Sequence, residues 1–173
     1  QWQNDRPGVK YIFSDELVSN HGLWNKKNIF SMSPYETLQI ENVIIQAFGS
    51  TDRGVSFLVQ CPDITIFHAG DLNWWDWCNE PPKEREKEER IFKEEIFRIR
   101  AETLNAGLNI DVAFFPVDPR LKDSCALGAD YFIQEISPAY LFPMHFWNDF
   151  SITRQYAEKM KDSRTKIPEI NRK

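Results

Sequence analysis

A short apolar segment that ends in a glycine and an aspartate constrains the fold of this chain most strongly. The run from Ile64 to Phe67 is apolar and rich in β-branched residues, which predicts a buried strand. Gly70 stops that strand, so that Asp71 is presented at its end. Because His68 lies three residues before this carboxylate, the segment is a candidate for a functional site.

A second histidine follows another strand-like segment later in the chain. Residues 140–144 predict a strand, and His145 comes directly after it. We expect this strand to be adjacent to the one that precedes Asp71, which brings the two side chains together. Since imidazole nitrogen and carboxylate oxygen both bind borderline divalent ions, the pair predicts a zinc, iron or manganese type of metal site.

The order of the predicted elements favours a mixed α/β fold. Up to residue 68, short alternating segments predict an antiparallel β meander. The charged run from Lys83 to Arg100 carries an apolar stripe at helical spacing, which predicts a long amphipathic helix that Asn105 and Gly107 end. Strands at 109–117 and 139–144 then alternate with helices at 127–136 and 151–162. This order predicts a sheet layered with helices.

Composition and charge narrow the class of protein. The chain has 173 residues, of which 42% are hydrophobic, so we expect one globular domain over residues 1–173. Its net charge of -5 disfavours nucleic-acid and acidic-membrane partners and favours a small-molecule substrate. No apolar run approaches the roughly 20 residues of a membrane span. Three cysteines without zinc-finger spacing predict a reducing, cytoplasmic location.

Three segments of the chain resemble the second half of a metallo-β-lactamase-fold hydrolase. They are Ile66–Asp71, Asp111–Val117 and Pro143–His145, in the order of the family. The most similar branch is that of the ascorbate-6-phosphate lactonase-like and related metal-dependent hydrolases. The resemblance implies an αββα sandwich that holds one or two divalent ions, zinc by preference with manganese or iron as alternatives.

The same resemblance implies roles for individual residues. Asp71 matches the metal-bridging aspartate and His145 the final histidine, so both are expected to be metal ligands and catalytic residues. His68 matches a histidine that orients the aspartate or its loop. The implied reaction is hydrolysis of a small ester, lactone or phosphoester, in which the metal lowers the pKa of water towards about 7.

Two departures from the family pattern stand beside these matches. The HxHxDH motif is absent, since the only histidines are His21, His68 and His145. The chain also opens without methionine, so we expect that the amino-terminal portion with this motif is missing and that residues 1–173 are a carboxy-terminal portion. Where the branch has its middle histidine, the chain has Gly49, which leaves one metal site incomplete or rebuilt from Ser50, Thr51 or Asp52.

Aromatic and charged side chains surround the predicted site in the sequence. Three tryptophans follow Asp71 closely: Trp74, Trp75 and Trp77. They form either a stacking wall for the substrate or a hydrophobic lid. Asp76 and Asp118 are acidic residues at the rim, for which solvated loop carboxylates are favoured over a role in the site. Arg120 is a candidate for contact with an anionic substrate such as a phosphate.

Alternatives to a hydrolase remain open at this level. With two protein ligands, the chain falls short of the three that are typical of catalytic zinc, so weak or no metal binding by these residues alone is expected. A catalytically inactive relic or binding module is therefore the main alternative. A nucleic-acid-processing relative is a poorer one because the chain is acidic. An unpaired sheet edge is expected where further strands would pair, which allows a homo-oligomer.

Overall fold

Two β-sheets and four α-helices make up the part of the chain that the structure describes. The structure is a computed structural model, and it describes residues 6, 8–21 and 28–170. The strands are β1 (Tyr11–Ser14), β2 (Ile29–Met32), β3 (Thr37–Ile40), β4 (Val43–Phe48), β5 (Ser56–Gln60), β6 (Thr65–His68), β7 (Val112–Pro116) and β8 (Tyr140–Met144). The helices are α1 (Asp15–His21), α2 (Pro82–Asn105), α3 (Leu127–Ile136) and α4 (Ser151–Lys159), with a 3-10 helix at Pro119–Ser124.

The larger sheet has six strands in chain order, from β3 to β8. Strands β3 to β6 pair antiparallel, which confirms the predicted meander over this stretch. Strands β6, β7 and β8 pair parallel, and α2 and α3 provide the crossover connections that parallel neighbours require. The carboxyl ends of these last three strands therefore lie at one edge of the sheet.

The first two strands depart from the predicted meander. β1 and β2 form a separate two-stranded sheet in which they pair parallel, with Tyr11 opposite Ile29. The expectation of antiparallel pairing was wrong here because α1 lies between the two strands, and a parallel pair needs such a crossover segment. Part of the loop predicted around residues 21–25 lies outside the described residues, and His21 itself ends α1.

Alternation along the strands divides the core between the two faces of the larger sheet. In β5, Leu58 is fully buried in the cluster that contains the residues of α2 and α3. Its neighbours Phe57 and Val59 pack instead against a smaller cluster that includes Met32 of β2. Because successive side chains of a strand point to opposite faces, both faces of the sheet are covered.

Three stacked phenylalanines join α3 to the parallel strands. Phe132 of α3 lies between Phe67 of β6 and Phe115 of β7, with ring centroids 5.1 Å and 4.7 Å away, and all three are fully buried. Aromatic pairs at this spacing add to the free energy of apolar burial. The stack therefore fixes α3 against the strands whose ends carry the candidate site.

The long helix α2 begins and ends as its sequence predicts. Pro82 occupies its first turn, where the missing N–H costs no hydrogen bond, and Gly107 follows its end with a φ of 64°. Its buried face contains Phe92, Ile96 and Ile99, whereas Phe97 is 67% exposed. Among the helices of the described residues, none has the length and apolar character needed to cross a membrane.

Replacing the central ring of the phenylalanine stack tests this account of the core. Phe132→Ala is expected to lower the free energy of unfolding by about 3–5 kcal/mol, since it removes a fully buried ring and leaves a cavity. Phe97→Ala, on the exposed face of α2, is expected to change it by no more than about 0.5 kcal/mol. Urea denaturation of both variants measures the difference, and equal losses would contradict the assignment of the core.

Candidate metal and substrate site

The aspartate and the histidine predicted as ligands meet at the carboxyl edge of the parallel strands. Asp71 follows β6 and His145 follows β8, and His145 Nε2 lies 3.0 Å from Asp71 Oδ1. The two strands are not adjacent as expected, because β7 lies between them. The side chains still meet because loops after parallel strands gather at the same edge. Both are partly exposed, Asp71 by 33% and His145 by 27%.

The loop that carries Asp71 is held by contacts that explain its sequence. Gly70 has a φ of 58°, and a Cβ atom at this position would lie 2.7 Å from the carbonyl oxygen of Val55, so the site requires glycine. The carbonyl oxygen of Asp71 accepts a hydrogen bond from the Trp75 indole at 3.1 Å. The Thr51 hydroxyl, which donates to Asn73, lies 3.4 Å from the same oxygen. These contacts anchor the backbone and leave the carboxylate free to face His145.

His68 lies beside the same loop. Its Nδ1 accepts a hydrogen bond of 3.1 Å from the backbone N–H of Gly70, and its ring packs against Phe114 with 5.7 Å between centroids. Burial lowers the pKa of the His68 imidazole, while the charge of Asp71 raises it and that of His145 lowers it. The ring contacts the Gly70–Asp71 step directly, and its role in orienting Asp71 stays a prediction.

Asp118 is buried against the other side of the histidine. The expectation of a solvated loop carboxylate was wrong, because Asp118 is 0% exposed and forms an ion pair with Arg120. Arg120 Nε lies 2.9 Å and 3.0 Å from the two carboxylate oxygens, and Nη2 lies 2.5 Å from Oδ2. That same Oδ2 is 3.7 Å from His145 Nδ1.

The imidazole of His145 therefore lies between two carboxylates, those of Asp71 and Asp118. Its Nδ1 is buried and has no hydrogen-bond partner within the described residues. The backbone of His145 has a φ of 65°, a conformation that residues other than glycine seldom adopt and that the surrounding structure must impose.

The sequence signal for Asp118 was the same as for Asp71, a carboxylate directly after a buried strand.

Asp76 is also paired rather than solvated, which corrects the expectation from sequence. Its carboxylate accepts hydrogen bonds from Arg85 Nε at 2.6 Å, Arg85 Nη2 at 2.8 Å and the Ser124 hydroxyl at 2.6 Å. The hydrogen bonds from Arg85 hold the pKa of the Asp76 carboxyl below its ordinary value. Asp76 thus connects the loop of Trp74, Trp75 and Trp77 to α2 through Arg85 and to the 3-10 helix through Ser124.

A cleft of about 290 Å³ opens beside His145. The residues that line it are Thr51, Asp52, Trp75, Trp77, Glu80, Glu88, Arg120 and His145. Trp75 and Trp77 stack on each other with centroids 6.0 Å apart and planes inclined by 6°. Trp75 is only 6% exposed, so this aromatic wall borders the cleft mainly through Trp77. Trp74 lies apart from this cleft and packs against Phe92 and Tyr131. Two of the three predicted tryptophans therefore border the site.

Charges of both signs line the cleft. Arg120 is cationic, while Asp52, Glu80 and Glu88 carry carboxyl groups. Burial raises the pKa of the Glu88 carboxyl above its ordinary value. The positive charge of Lys87 opposes this rise, and the negative charges of Glu80, Glu84 and Asp52 add to it. The cleft thus combines one fixed cation with an acidic surface.

Gly49, which the resemblance places where the branch has its middle histidine, makes a structural contact in this chain. Its N–H donates a 2.7 Å hydrogen bond to Glu95, whose carboxylate also accepts hydrogen bonds from Tyr35 at 3.0 Å and Arg98 at 2.7 Å. A Cβ atom at Gly49 would lie 3.1 Å from the carboxylate of Glu95. The space into which a side chain would point is therefore occupied by a buried carboxylate.

Of Ser50, Thr51 and Asp52, the residues predicted to replace the missing metal ligand, the first two have hydroxyl groups that already form hydrogen bonds within the protein. The Thr51 hydroxyl donates to the Asn73 carbonyl oxygen at 2.6 Å and accepts from the Asn73 N–H at 2.9 Å. The Ser50 hydroxyl accepts from the N–H of Asp52 at 3.3 Å, and Asp52 is exposed in the cleft. Thr51 thus holds the loop after Asp71 in place.

The fit of a metal ion depends on the number of donors. Asp71 and His145 offer an anionic oxygen and an imidazole nitrogen at contact distance, which is the donor chemistry of a divalent ion. Within residues 6, 8–21 and 28–170, no group of three or more histidine, cysteine, aspartate or glutamate side chains is arranged to hold one. The pair fits a metal in the kind of its donors and would supply two ligands.

Restoring the family's histidine tests how Gly49 is used. Gly49→His is expected to bind no more metal than the wild type, because its side chain meets the Glu95 carboxylate. It is also expected to lower the free energy of unfolding by about 1–3 kcal/mol through crowding. Elemental analysis and urea denaturation measure the two effects, and Gly49→Ala separates the crowding by Cβ from that by the ring. A gain of one ion per chain would contradict this view.

The environment of His68 predicts its titration. We expect a midpoint below the ordinary value near 6.5, because burial disfavours the imidazolium. The unfolded chain then binds more protons just below pH 6.5, so stability is lost as pH falls from that value towards the folded pKa. NMR titration of the imidazole signals, assigned with His68→Gln, measures the midpoint. A value above 6.5 would show that Asp71 outweighs burial.

Sequence comparisons find no relatives: no protein-family model matches the chain, and neither does any curated protein. Structure comparisons do find similar folds. Crystal structures of CmlA, a diiron β-hydroxylase from Streptomyces venezuelae, match with a TM-score of 0.57 at 8% identity, over 92% of this chain and 39% of that one. A mutant of CmlA matches with a TM-score of 0.58 at 9% identity, over 91% and 37% of the two chains.

A third similar structure is described by the name of its fold. YhfI from Bacillus subtilis, described as a metallo-β-lactamase fold protein, matches with a TM-score of 0.57 at 11% identity, over 91% of this chain and 61% of that one. The chain thus spans between 37% and 61% of the length of these structures. At such low identity the likeness concerns architecture alone. The chain has the mixed α/β architecture of the metallo-β-lactamase fold, as its sequence predicted.

Proposed function

We propose that this chain provides part of the active site of a metal-dependent hydrolase. The observation that carries the proposal is the 3.0 Å contact between His145 Nε2 and Asp71 Oδ1 beside an open cleft. These are the two side chains that the resemblance assigns to metal binding. The metallo-β-lactamase fold supports it, and a diiron enzyme is among the structures with a similar architecture.

The chain's own residues would divide the work at such a site. Asp71 and His145 would hold the ion, which as a Lewis acid would lower the pKa of water towards about 7 and polarise the oxygen under attack. Asp118 lies 3.7 Å from His145 Nδ1, beyond hydrogen-bond distance, and its negative charge would favour the proton on that nitrogen, which leaves Nε2 free as a ligand. His68 would support the Gly70–Asp71 step through its 3.1 Å hydrogen bond.

The substrate would enter the cleft beside this pair. Trp77, the more exposed indole of the aromatic wall, would offer apolar surface to a ring or acyl group. A small ester, lactone or phosphoester fits a volume of about 290 Å³. The further metal ligands, the zinc preference and the lactonase-like branch stay predictions, and the missing donors would come from outside the described residues.

A binding module without catalysis is the second candidate function. The observation that favours it is the 2.7 Å hydrogen bond between Gly49 and Glu95, which uses the position of the middle histidine for structure. In such a module the cleft would still bind a small molecule, and Asp71 would pair with His145 rather than with a metal. Metal content and turnover distinguish the two functions.

Elemental analysis of the protein expressed from its complete gene tests the hydrolase proposal. We expect at least one divalent ion per chain in the wild type and a loss of about tenfold or more in Asp71→Ala/His145→Ala, because both donors are removed. Asp63→Ala/His21→Gln removes the same residue types elsewhere in the sequence and serves as the control. Model lactones, esters and phosphoesters are then screened for turnover. A metal-free and inactive wild type would leave only the binding module.

A further inference from the structure

We propose that the cleft binds an anionic group of its substrate, a phosphate or a carboxylate, through the free edge of the Arg120 guanidinium. This deepens the proposed function and rests on it for the identity of the ligand as a substrate. The inference comes from how Arg120 is held, and the binding itself requires neither a metal ion nor turnover. It can therefore be tested apart from metal content and hydrolysis.

The hydrogen bonds of Arg120 leave one edge of its side chain available. Asp118 engages Nε and Nη2, which is the side-on edge of the guanidinium. Nη1 has no hydrogen-bond partner within the described residues. Because a guanidinium carries five N–H groups in a planar fork, the end-on edge of Nη1 and Nη2 can still donate to a second oxyanion. The side chain is 48% exposed and lines the cleft.

The guanidinium is also fixed in orientation before any ligand arrives. Its Cζ lies 5.5 Å from the ring centre of Trp77 and 5.2 Å from that of Trp147. The backbone of Trp147 has a φ of 51°, which places a non-glycine residue in the left-handed region next to Arg120. A cation held by a buried carboxylate and two indoles loses little further freedom on binding, so preorganisation favours affinity.

The acidic residues of the cleft limit which anions are accepted. Asp52, Glu80 and Glu88 line the same space and repel an excess of negative charge. A ligand is therefore favoured when its single anionic group meets Arg120 and its remaining groups donate hydrogen bonds or stack on the wall of Trp75 and Trp77. The substrate class is a small molecule with one anionic group and a flat or hydroxyl-bearing remainder.

The chain contains a matched control for Arg120. Arg85 makes the same side-on ion pair with Asp76, at 2.6 Å and 2.8 Å, and is similarly exposed, by 41%. It does not line the cleft that contains His145. Replacing each pair by neutral residues, as Asp118→Asn/Arg120→Met and Asp76→Asn/Arg85→Met, removes one arginine without leaving an unpaired carboxylate.

The experiment measures anion binding to the full protein after chelator treatment and desalting. Inorganic phosphate, phenyl phosphate, benzoate and phenol are titrated, with binding followed by tryptophan fluorescence and by NMR. We expect phosphate or benzoate affinity to fall about tenfold or more in Asp118→Asn/Arg120→Met, the size of a lost charge-assisted hydrogen bond. We expect a change of less than about twofold in Asp76→Asn/Arg85→Met. Phenyl phosphate against benzoate distinguishes the two anionic groups, and phenol measures stacking alone.

Further variants keep the result decisive. If the double variant at Asp118 does not fold by circular dichroism, Arg120→Lys retains a cation but loses the end-on edge, and the same loss of affinity is expected. The inference is overturned if the wild type binds none of the anions or if both arginine variants lose affinity equally. Absence of metal or turnover would contradict only the hydrolase proposal.

Discussion

The parallel pairing of β6, β7 and β8 is the constraint on which the candidate site depends. Asp71 and His145 are 74 residues apart in the chain, yet their side chains meet at 3.0 Å. Their meeting requires that the two strands run in the same direction and end at the same edge. The buried stack of Phe67, Phe115 and Phe132 holds the crossover helix α3 on those strands and so keeps the edge in register.

Two buried carboxylates determine how the surroundings of that edge are built. Removing a carboxylate from water costs several kcal/mol unless it is paired and hydrogen-bonded, so each attracts its own partners. Asp118 is neutralised by Arg120, which places a cation in the cleft. Glu95 is neutralised by Arg98 and bonds to the N–H of Gly49, which occupies the place of a possible ligand. The need to neutralise a buried carboxylate thus places a cation in the cleft at Arg120 and leaves no room for a ligand side chain at Gly49.

The fold alone does not select a reaction for this protein. Among the proteins with a similar architecture, one is a diiron β-hydroxylase and another is known by its fold. One architecture supports different chemistry because function resides in side chains placed on it. The evidence for function in this chain therefore lies in the pair of Asp71 and His145, in the cleft beside it, and in the residues that position both.

The sequence by itself determined the fold class, the helices α2 and α3 and the strand ends that carry the site. These follow from local patterns: apolar periodicity, a glycine that only a positive φ explains, and a carboxylate after a buried strand. It also named Asp71 and His145 as candidates, because each follows an apolar segment, and the structure brings them to 3.0 Å while their role in metal binding stays a prediction. Two of the three tryptophans named after the Gly70–Asp71 step, Trp75 and Trp77, border the cleft.

Only the tertiary structure decided the partners of the charged residues. In the sequence, Asp76 and Asp118 resemble solvated loop carboxylates. Their burial depends on Arg85 and Arg120, whose positions no local pattern specifies. The role of Gly49 depends on Glu95, which is 46 residues away. Likewise, β1 and β2 pair parallel because a helix separates them. Local chemistry predicts which segments form, whereas charge pairing and strand direction depend on contacts between residues that are distant in the chain.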